Sequence, residues 1–175
     1  MYVSSVAPAC AIADRRLLIR WAAAVALMYI VAAPIWVLYP VSVPRADLLG
    51  NDYYSYLLGI IQILDPPTNC FPSMHVAVAT LGALVVYRVD KIIGTVLLAT
   101  VLPIWYSTVA VRQHWAVDGA AGLLLGATAY CVVYKMMVVP PVASDRLPRV
   151  AHLAWVGLLF ISLLVLYGMW ALGIQ

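Results

Sequence analysis

The sequence predicts an all-α membrane protein, a polytopic bundle of about five transmembrane helices with one further interfacial or re-entrant helix. Hydrophobic residues make up 66% of the 175 residues, and charged residues make up only 10%. The mean hydropathy is +1.01. An average soluble domain carries about 25% charged residues, and so short a chain cannot bury this much apolar surface in a soluble core. The length fits a single transmembrane domain, residues 1–175.

The predicted spans follow from uncharged runs of bilayer length. A spanning helix needs about 20 mostly apolar residues, because each residue adds about 1.5 Å of rise across about 30 Å of hydrocarbon. No basic residue precedes Arg15, so the first run is predicted to be a retained helix and not a signal peptide. We predict five spans, at residues 17–39, 73–89, 92–111, 114–137 and 151–173.

The segment 53–64 is apolar, but it is only 12 residues long and aspartates flank it. This length is typical of an interfacial or re-entrant helix, which we predict within the loop of residues 40–72. The alternative is a sixth, tilted span.

The basic residues divide unequally between the two faces of the five-span arrangement. With the N-terminus in the cytoplasm, the cytoplasmic segments hold eight basic residues and the outer segments hold two. This bias agrees with the positive-inside rule. We therefore expect a cytoplasmic N-terminus and an outer C-terminus. The compact length and the absence of an organellar signal favour a bacterial inner membrane. The eight are Arg15, Arg16, Arg20, Arg88, Lys91, Lys135, Arg146 and Arg149, and the two are Arg45 and Arg112.

Several classes of partner and cofactor are excluded by composition. The net charge of +3 is small and scattered, so no nucleic-acid partner is expected. The three cysteines, Cys10, Cys70 and Cys131, show neither metal spacing nor an even-numbered framework. No cluster of acidic residues suited to Mg²⁺ is visible, so we expect no metal and no cofactor. The oligomeric state is left open.

The first candidate catalytic or binding motif is Pro72-Ser73-Met74-His75, at the start of the second predicted span. Ser73 is a favourable N-cap residue. The unpaired N–H groups and the positive dipole end of a helix N-terminus attract anions, and His75 lies within the first turn. The structural alternative is an ordinary helix start with a histidine at the membrane interface.

The second motif runs from Arg112 to Asp118 and opens the fourth predicted span from the same face. His114 and Asp118 are four residues apart, which would place them on one helix face. A carboxylate there can hold one imidazole nitrogen as N–H and leave the other as a nucleophile or base. The alternative is a structural Asp–His pair. Beyond it, Gly122 and Gly126 form a GxxxG pair, which predicts close helix packing.

Arg45 and Arg112 are the only basic residues on the predicted outer face, and they are candidate clamps for a phosphate. For Arg45 the alternative is a solvated loop charge. Together with the two histidines, the carboxylate and the helix N-terminus, they suit phosphoryl transfer by positioning and charge neutralisation without a metal.

These motifs resemble those of the type 2 phosphatidic acid phosphatase superfamily. Its middle motif, P-S-G-H, is matched by residues 72–75, with Met74 in place of glycine. Residues 107–118 match its last motif, which is S-R-x5-H-x3-D. Thr108 stands in place of the arginine. These two substitutions look most like the inositol-phosphorylceramide-synthase-like branch. The first motif, K, six residues, R-P, is matched only by position at Arg45.

The resemblance implies a role for each site residue. His114 would be the nucleophile that forms a phosphohistidine, Asp118 would orient it, and His75 would protonate the leaving lipid alkoxide. Ser73 would bind the phosphate. The catalytic motifs would then lie within residues 40–118.

The predicted function is hydrolysis of a lipid phosphate or diphosphate at the extracytoplasmic face, with membrane lipids and the lipid phosphate as partners. The rival enzyme is a head-group transferase of the inositol-phosphorylceramide-synthase type, in which an alcohol replaces water. A rival from another class is a non-catalytic membrane protein. The lipid itself is left open.

Overall fold

The computed structural model of the protein describes residues 15–45, 50, 52–65 and 67–136, together with residues 161, 164, 165, 167–169 and 171 of the last segment. Among these residues the backbone is mainly helical, with one isolated β-bridge and no strand, which confirms the all-α prediction. The helices are α1 (Arg15–Leu38), α2 (Tyr53–Leu64), α3 (Met74–Val89), α4 (Lys91–Ala110) and α5 (Ala116–Cys131), and α5 continues as a π-helical turn, Val132–Met136.

Three of these helical segments are long and apolar enough to cross a membrane: Arg16–Leu38, Lys91–Ala110 and Ala116–Met136. They correspond to the first, third and fourth predicted spans. The second predicted span is α3, whose 16 residues extend only about 24 Å. The fifth, residues 151–173, lies mostly outside the described residues, although those described within it are helical.

Helix α3 is the centre of the bundle. One of its faces packs through Ala77, Leu81 and Val85 into a core shared with α1 and α5, and another packs through Val76 and Ala79 against α4. Nine of its 16 residues are buried by these neighbours. The short second span is therefore a core element.

The helices alternate in direction. Asp90 ends α3, and its carboxylate accepts hydrogen bonds from the N–H groups of Ile92 and Ile93, so α4 returns antiparallel. Helix α5 then runs parallel to α3. The Tyr134 hydroxyl donates to the Leu17 carbonyl at 3.2 Å, which places the start of α1 beside the end of α5.

Helix α2 has the bounds predicted for the interfacial helix, residues 53–64. Asp52 caps it by accepting hydrogen bonds from the Tyr54 and Ser55 N–H groups at 2.9 and 3.0 Å, and the Ser55 backbone bond is the main cause of the lowered pKa of Asp52. At about 18 Å, α2 is too short to cross the hydrocarbon, which argues against the six-span alternative. Tyr53 packs edge-on against Tyr167, with ring centroids 5.4 Å apart.

Candidate active site

The candidate catalytic and binding residues lie at the end of the bundle where α1 ends and α3 and α5 begin. Three connecting segments meet there, around residues 39–45, 65–73 and 111–115. An isolated parallel β-bridge joins Val41 to Asn69, and the Trp115 indole N–H donates to the Ser42 carbonyl at 3.3 Å. Residues that are distant in sequence are therefore held together by main-chain contacts.

The His114 backbone lies in the turn between α4 and α5. The Thr108 carbonyl accepts from the N–H groups of both Gln113 and His114, at 2.9 and 3.1 Å. Arg112 takes a left-handed conformation with φ of 54°, which lets the chain fold back sharply. The prediction that His114 belongs to the fourth helix is wrong, because α5 begins only at Ala116.

Hydrogen bonds determine the tautomer of His114. Its Nδ1 lies 2.8 Å from the main-chain oxygen of Cys70. A carbonyl oxygen can only accept, so Nδ1 carries the proton and Nε2 carries the lone pair. His114 is 3% exposed, and Nε2 is the ring nitrogen whose lone pair can serve as a base or a nucleophile.

His75 faces this lone pair. Its Nδ1 is 3.2 Å from Nε2 of His114, and the two rings meet edge to face with centroids 5.4 Å apart. With both rings neutral, His75 Nδ1–H donates to His114 Nε2. The first turn of α3 and the α4–α5 turn thus bring together two imidazoles that are 39 residues apart.

Asp118 approaches His114 by a different route from the one expected. It lies in the first turn of α5, where Oδ2 accepts from the N-cap Trp115 N–H at 2.8 Å. This backward fold also places Oδ2 3.6 Å from Nδ1 of His114. The two side chains meet as the sequence predicts, but the cause is N-terminal capping and not a shared helix face.

Two buried oxygen atoms at this end have no hydrogen-bond partner among the described residues, Ser73 Oγ and Asp118 Oδ1. Ser73 occupies the N-cap position of α3 without making the side-chain capping bond that its type favours. The backbone N–H of Ser73 donates to the Asp118 carbonyl at 3.0 Å, and this bond joins the starts of α3 and α5. Ser73 is fully buried and is not among the residues lining the cavity, so its hydroxyl is a buried group that is unpaired among the described residues, which is costly.

Cys70 is a site residue that sequence reasoning missed. Its carbonyl orients His114, and its thiol donates to the carbonyl oxygens of Pro67 and Gln113 at 3.1 and 3.4 Å. Burial is the main cause of the raised pKa of this thiol, and the charge of Asp118 acts in the same direction. Cys70 thus remains a neutral S–H donor at neutral pH. No sequence pattern identifies a residue that acts through its main-chain oxygen.

A cavity of about 440 Å³ opens beside the two histidines. Its polar lining residues are Asp65, Asn69, His75 and His114, and its apolar and aromatic ones are Tyr29, Trp36, Ile61, Leu64, Met74 and Val78. Sequence reasoning missed Asp65, although a signal existed. It is the only charged residue between Asp52 and Arg88, and an ionisable residue in an apolar segment is a functional candidate.

The two predicted phosphate clamps are placed differently. Arg45 is half-buried, and one of its terminal nitrogens donates to the Asp65 carbonyl at 2.6 Å. The other terminal nitrogen is buried without a partner among the described residues. Arg112 is exposed in its turn, and neither arginine is among the residues lining the cavity.

The Thr108 side chain, which stands where the resembling family has arginine, is turned away from the cavity. Its hydroxyl donates to the Trp105 carbonyl within α4. Its contribution to the site is the main-chain oxygen that holds the His114 turn.

Two groups of residues could hold a metal ion by proximity. Asp65, His75 and His114 form one, and Cys70, His114 and Asp118 form the other. In each group, one ligand atom from every residue lies within 4.8 Å of the others.

The family model of the PAP2 superfamily matches residues 40–140, a segment that includes both histidines, Ser73 and Asp118. No curated protein and no solved structure gives a significant match to the chain. The match indicates activity of the phosphatase or phosphotransferase type, and the apolar helices indicate an integral membrane protein. Because the matched segment makes up more than half of the chain, the protein belongs to the PAP2 superfamily.

Proposed function

We propose that the protein is a lipid phosphate or diphosphate phosphatase that acts through a phosphohistidine on His114. The observation that carries this proposal is the state of the His114 ring, whose Nδ1–H is held by the Cys70 carbonyl so that Nε2 presents a lone pair beside the cavity. A nucleophile oriented by a fixed acceptor is the arrangement that covalent catalysis needs.

The proposed reaction uses the two rings in turn. A substrate phosphate displaces the His75 hydrogen bond from Nε2 of His114, because one lone pair cannot serve both. Nε2 then attacks phosphorus, the phosphorus–oxygen bond to the lipid breaks, and His75 in its protonated form gives its proton to the leaving oxygen. Water attacks the phosphohistidine while His75 takes a proton from it, which releases phosphate and restores the lone pair.

The phosphate ligands in this proposal are Ser73, Arg45 and Arg112. The Ser73 hydroxyl and one Arg45 nitrogen are buried without a partner among the described residues, but neither residue lines the cavity, so each would have to turn toward a bound phosphate. Arg112 is exposed and would have to swing toward the cavity to contribute. Fixed donors aimed at the phosphoryl oxygens stabilise the charge that develops there.

A lipid is favoured as substrate by the cavity walls. Six of the ten lining residues are apolar or aromatic, and two of them, Ile61 and Leu64, come from the short helix α2. In this proposal the cavity of about 440 Å³ receives the phosphate and the first carbon atoms of the lipid. The tails would remain in the bilayer, as the apolar surfaces of the surrounding helices allow.

The head-group transferase is the second candidate. The feature that favours it is the pair of substitutions, Met74 and Thr108, that resembles the inositol-phosphorylceramide-synthase-like branch. Met74 lines the cavity, so this substitution alters the place where an acceptor alcohol would have to bind. Lipid product that forms only when an alcohol is added would favour the transferase.

The test is phosphate release from phosphatidic acid, phosphatidylglycerol phosphate, prenyl diphosphates and sphingoid phosphates in detergent. We expect wild type to release phosphate from at least one of them and His114→Ala to fall to background. The matched control is His152→Ala, because His152 is the third histidine and lies outside both motifs. Full activity of His114→Ala would overturn the mechanism.

Trapping with labelled substrate and an alkaline quench separates an enzyme from a non-catalytic family member. We expect an acid-labile label on wild type and none on His114→Ala. No label on wild type, together with no release from any of these lipids, would support the non-catalytic rival.

A further inference from the structure

We propose that Asp65, His75 and His114 form a binding site for a divalent transition-metal ion of the zinc type, and that the bound ion excludes the substrate phosphate. The three side chains come from three elements, the end of α2, the first turn of α3 and the α4–α5 turn. One ligand atom from each lies within 4.8 Å of the others, and all three residues line the cavity.

The spacing of the two imidazoles fits tetrahedral coordination. Zinc–nitrogen bonds are about 2.0–2.1 Å long, so two nitrogens on one tetrahedral ion are about 3.3–3.4 Å apart. His75 Nδ1 and His114 Nε2 are 3.2 Å apart. An ion bound to both nitrogens would replace the proton they share, and each ring would tilt so that its lone pair points at the ion.

The surroundings of His114 also suit a metal ligand. Histidine ligands almost always donate their second ring N–H to a carbonyl or carboxylate, which fixes the tautomer and the ring orientation. The Nδ1 of His114 donates to the Cys70 carbonyl at 2.8 Å. The nitrogen with the lone pair is therefore already directed toward His75 and the cavity.

Asp65 supplies the third ligand. Its main-chain oxygen is held by Arg45 at 2.6 Å, whereas its carboxylate makes no hydrogen bond to the described residues. The carboxylate is half-buried at the C-cap of α2, so a change of side-chain rotamer can bring it to bonding distance. The cavity leaves the fourth position to water, the pattern of an open zinc site.

The other group, Cys70, His114 and Asp118, is less suited to an ion. All three residues are buried, and neither Cys70 nor Asp118 lines the cavity. Its shared histidine nitrogen would be Nδ1, which already donates to the Cys70 carbonyl, and the thiol donates to two further carbonyls. A metal there would have to break these bonds without access from the cavity.

Metal binding at this site would also affect phosphate release, an expectation that rests on the proposed function. Nε2 of His114 cannot bind a metal and attack phosphorus at the same time. Zinc should therefore inhibit phosphate release in competition with the substrate, whereas Mg²⁺, which prefers oxygen ligands, should not.

The test is Co²⁺ binding to the untagged, chelator-treated protein in detergent, followed by ligand-field absorption. We expect one tetrahedral Co²⁺ per chain, displaced by Zn²⁺. Asp65→Asn and His75→Ala should each weaken binding by about tenfold or more, as losing even an outer-shell partner of a metal site does. The matched control is Asp90→Asn, because Asp90 caps α4 at the other end of the bundle and asparagine caps equally well.

Absence of tetrahedral Co²⁺, or equal weakening by Asp65→Asn and Asp90→Asn, would overturn the site. Co²⁺ binding can be measured without turnover. If Co²⁺ binds to a protein that shows no phosphatase activity, the metal site is supported and the proposed function is contradicted. Phosphate release that continues unchanged when Zn²⁺ saturates the site would overturn the exclusion of substrate.

Discussion

At the scale of the residue, His114 owes its orientation to main-chain oxygens as much as to a carboxylate. The Thr108 carbonyl holds its backbone, the Cys70 carbonyl holds its Nδ1–H at 2.8 Å, and Asp118 Oδ2 is farther away at 3.6 Å. The Cys70 carbonyl therefore determines the tautomer, and Asp118 contributes chiefly a negative charge next to the ring. The two contributions can be separated by mutation.

We expect Asp118→Asn to lower kcat by about a hundredfold, at the lower end of what acid–base groups contribute. The Cys70 carbonyl keeps the tautomer and the asparagine oxygen can still accept from the Trp115 N–H, so the main loss is the negative charge next to the His114 ring. The measurement is the rate of phosphate release on the best lipid substrate. Asp52→Asn, at an exposed N-cap where asparagine also caps, is the control and should match wild type. A loss as complete as that of His114→Ala would contradict the role assigned to Cys70.

At the scale of the element, the GxxxG pair of α5 joins the two halves of the site. A side chain on Gly122 would overlap the main-chain oxygen of Ser73, and one on Gly126 would overlap that of Ala77. The predicted close packing face is thus the contact between α5 and α3. This contact sets the distance between the helix that starts near His114 and the helix that carries His75.

We expect Gly122→Ala to destabilise the protein by about 1–3 kcal/mol, because the added methyl group forces α3 and α5 apart. Activity should fall with stability, since the same shift separates the two histidines. Thermal unfolding in detergent and phosphate release are the two measurements. Gly168→Ala is the matched control, because a side chain there meets no atom of the described residues within 4 Å. Equal melting temperatures for the two variants would show that the close contact is not needed.

At the scale of the whole molecule, Arg20, Arg88 and Lys91 lie at the end of the bundle opposite the site, whereas Arg45 and Arg112 lie at the site end. Arg88 and Lys91 flank the α3–α4 turn, and Arg20 lies with its guanidinium carbon 6.0 Å from the ring centroid of Tyr134, near the end of the π-helical turn. The cavity is at the other end of the same helices. With the basic end in the cytoplasm, the site faces outward, where we propose that it acts.

The proposed orientation predicts which positions a membrane-impermeant maleimide can label on intact cells. Ser42→Cys, beside Trp115 at the site end, should react from outside, whereas Val89→Cys, at the α3–α4 turn, should react only after permeabilisation. Both positions are exposed, and both changes leave the charge bias intact. The unsubstituted protein is the control, because it measures the background labelling of the three cysteines that the protein already contains. The reverse pattern would place the active site in the cytoplasm.

The sequence by itself was sufficient for the helices and for the identity of the main chemical groups. Apolar runs between polar turns predicted all five described helices, α1 to α5, because backbone groups in a bilayer can be satisfied only within a helix. The motifs around His75 and His114 identified both imidazoles and Asp118 as candidate site residues, because an ionisable side chain within a membrane carries a free-energy cost and is therefore a functional candidate.

Only the tertiary structure decided how these groups meet. It placed His114 in a turn, Asp118 at a capping position, Ser73 without its capping bond, and the Cys70 carbonyl next to the His114 ring. Every residue carries the same main-chain oxygen, so no residue type signals which one will accept a given hydrogen bond. That choice depends on contacts between segments some 40 residues apart, which exist only once α3, α4 and α5 have packed.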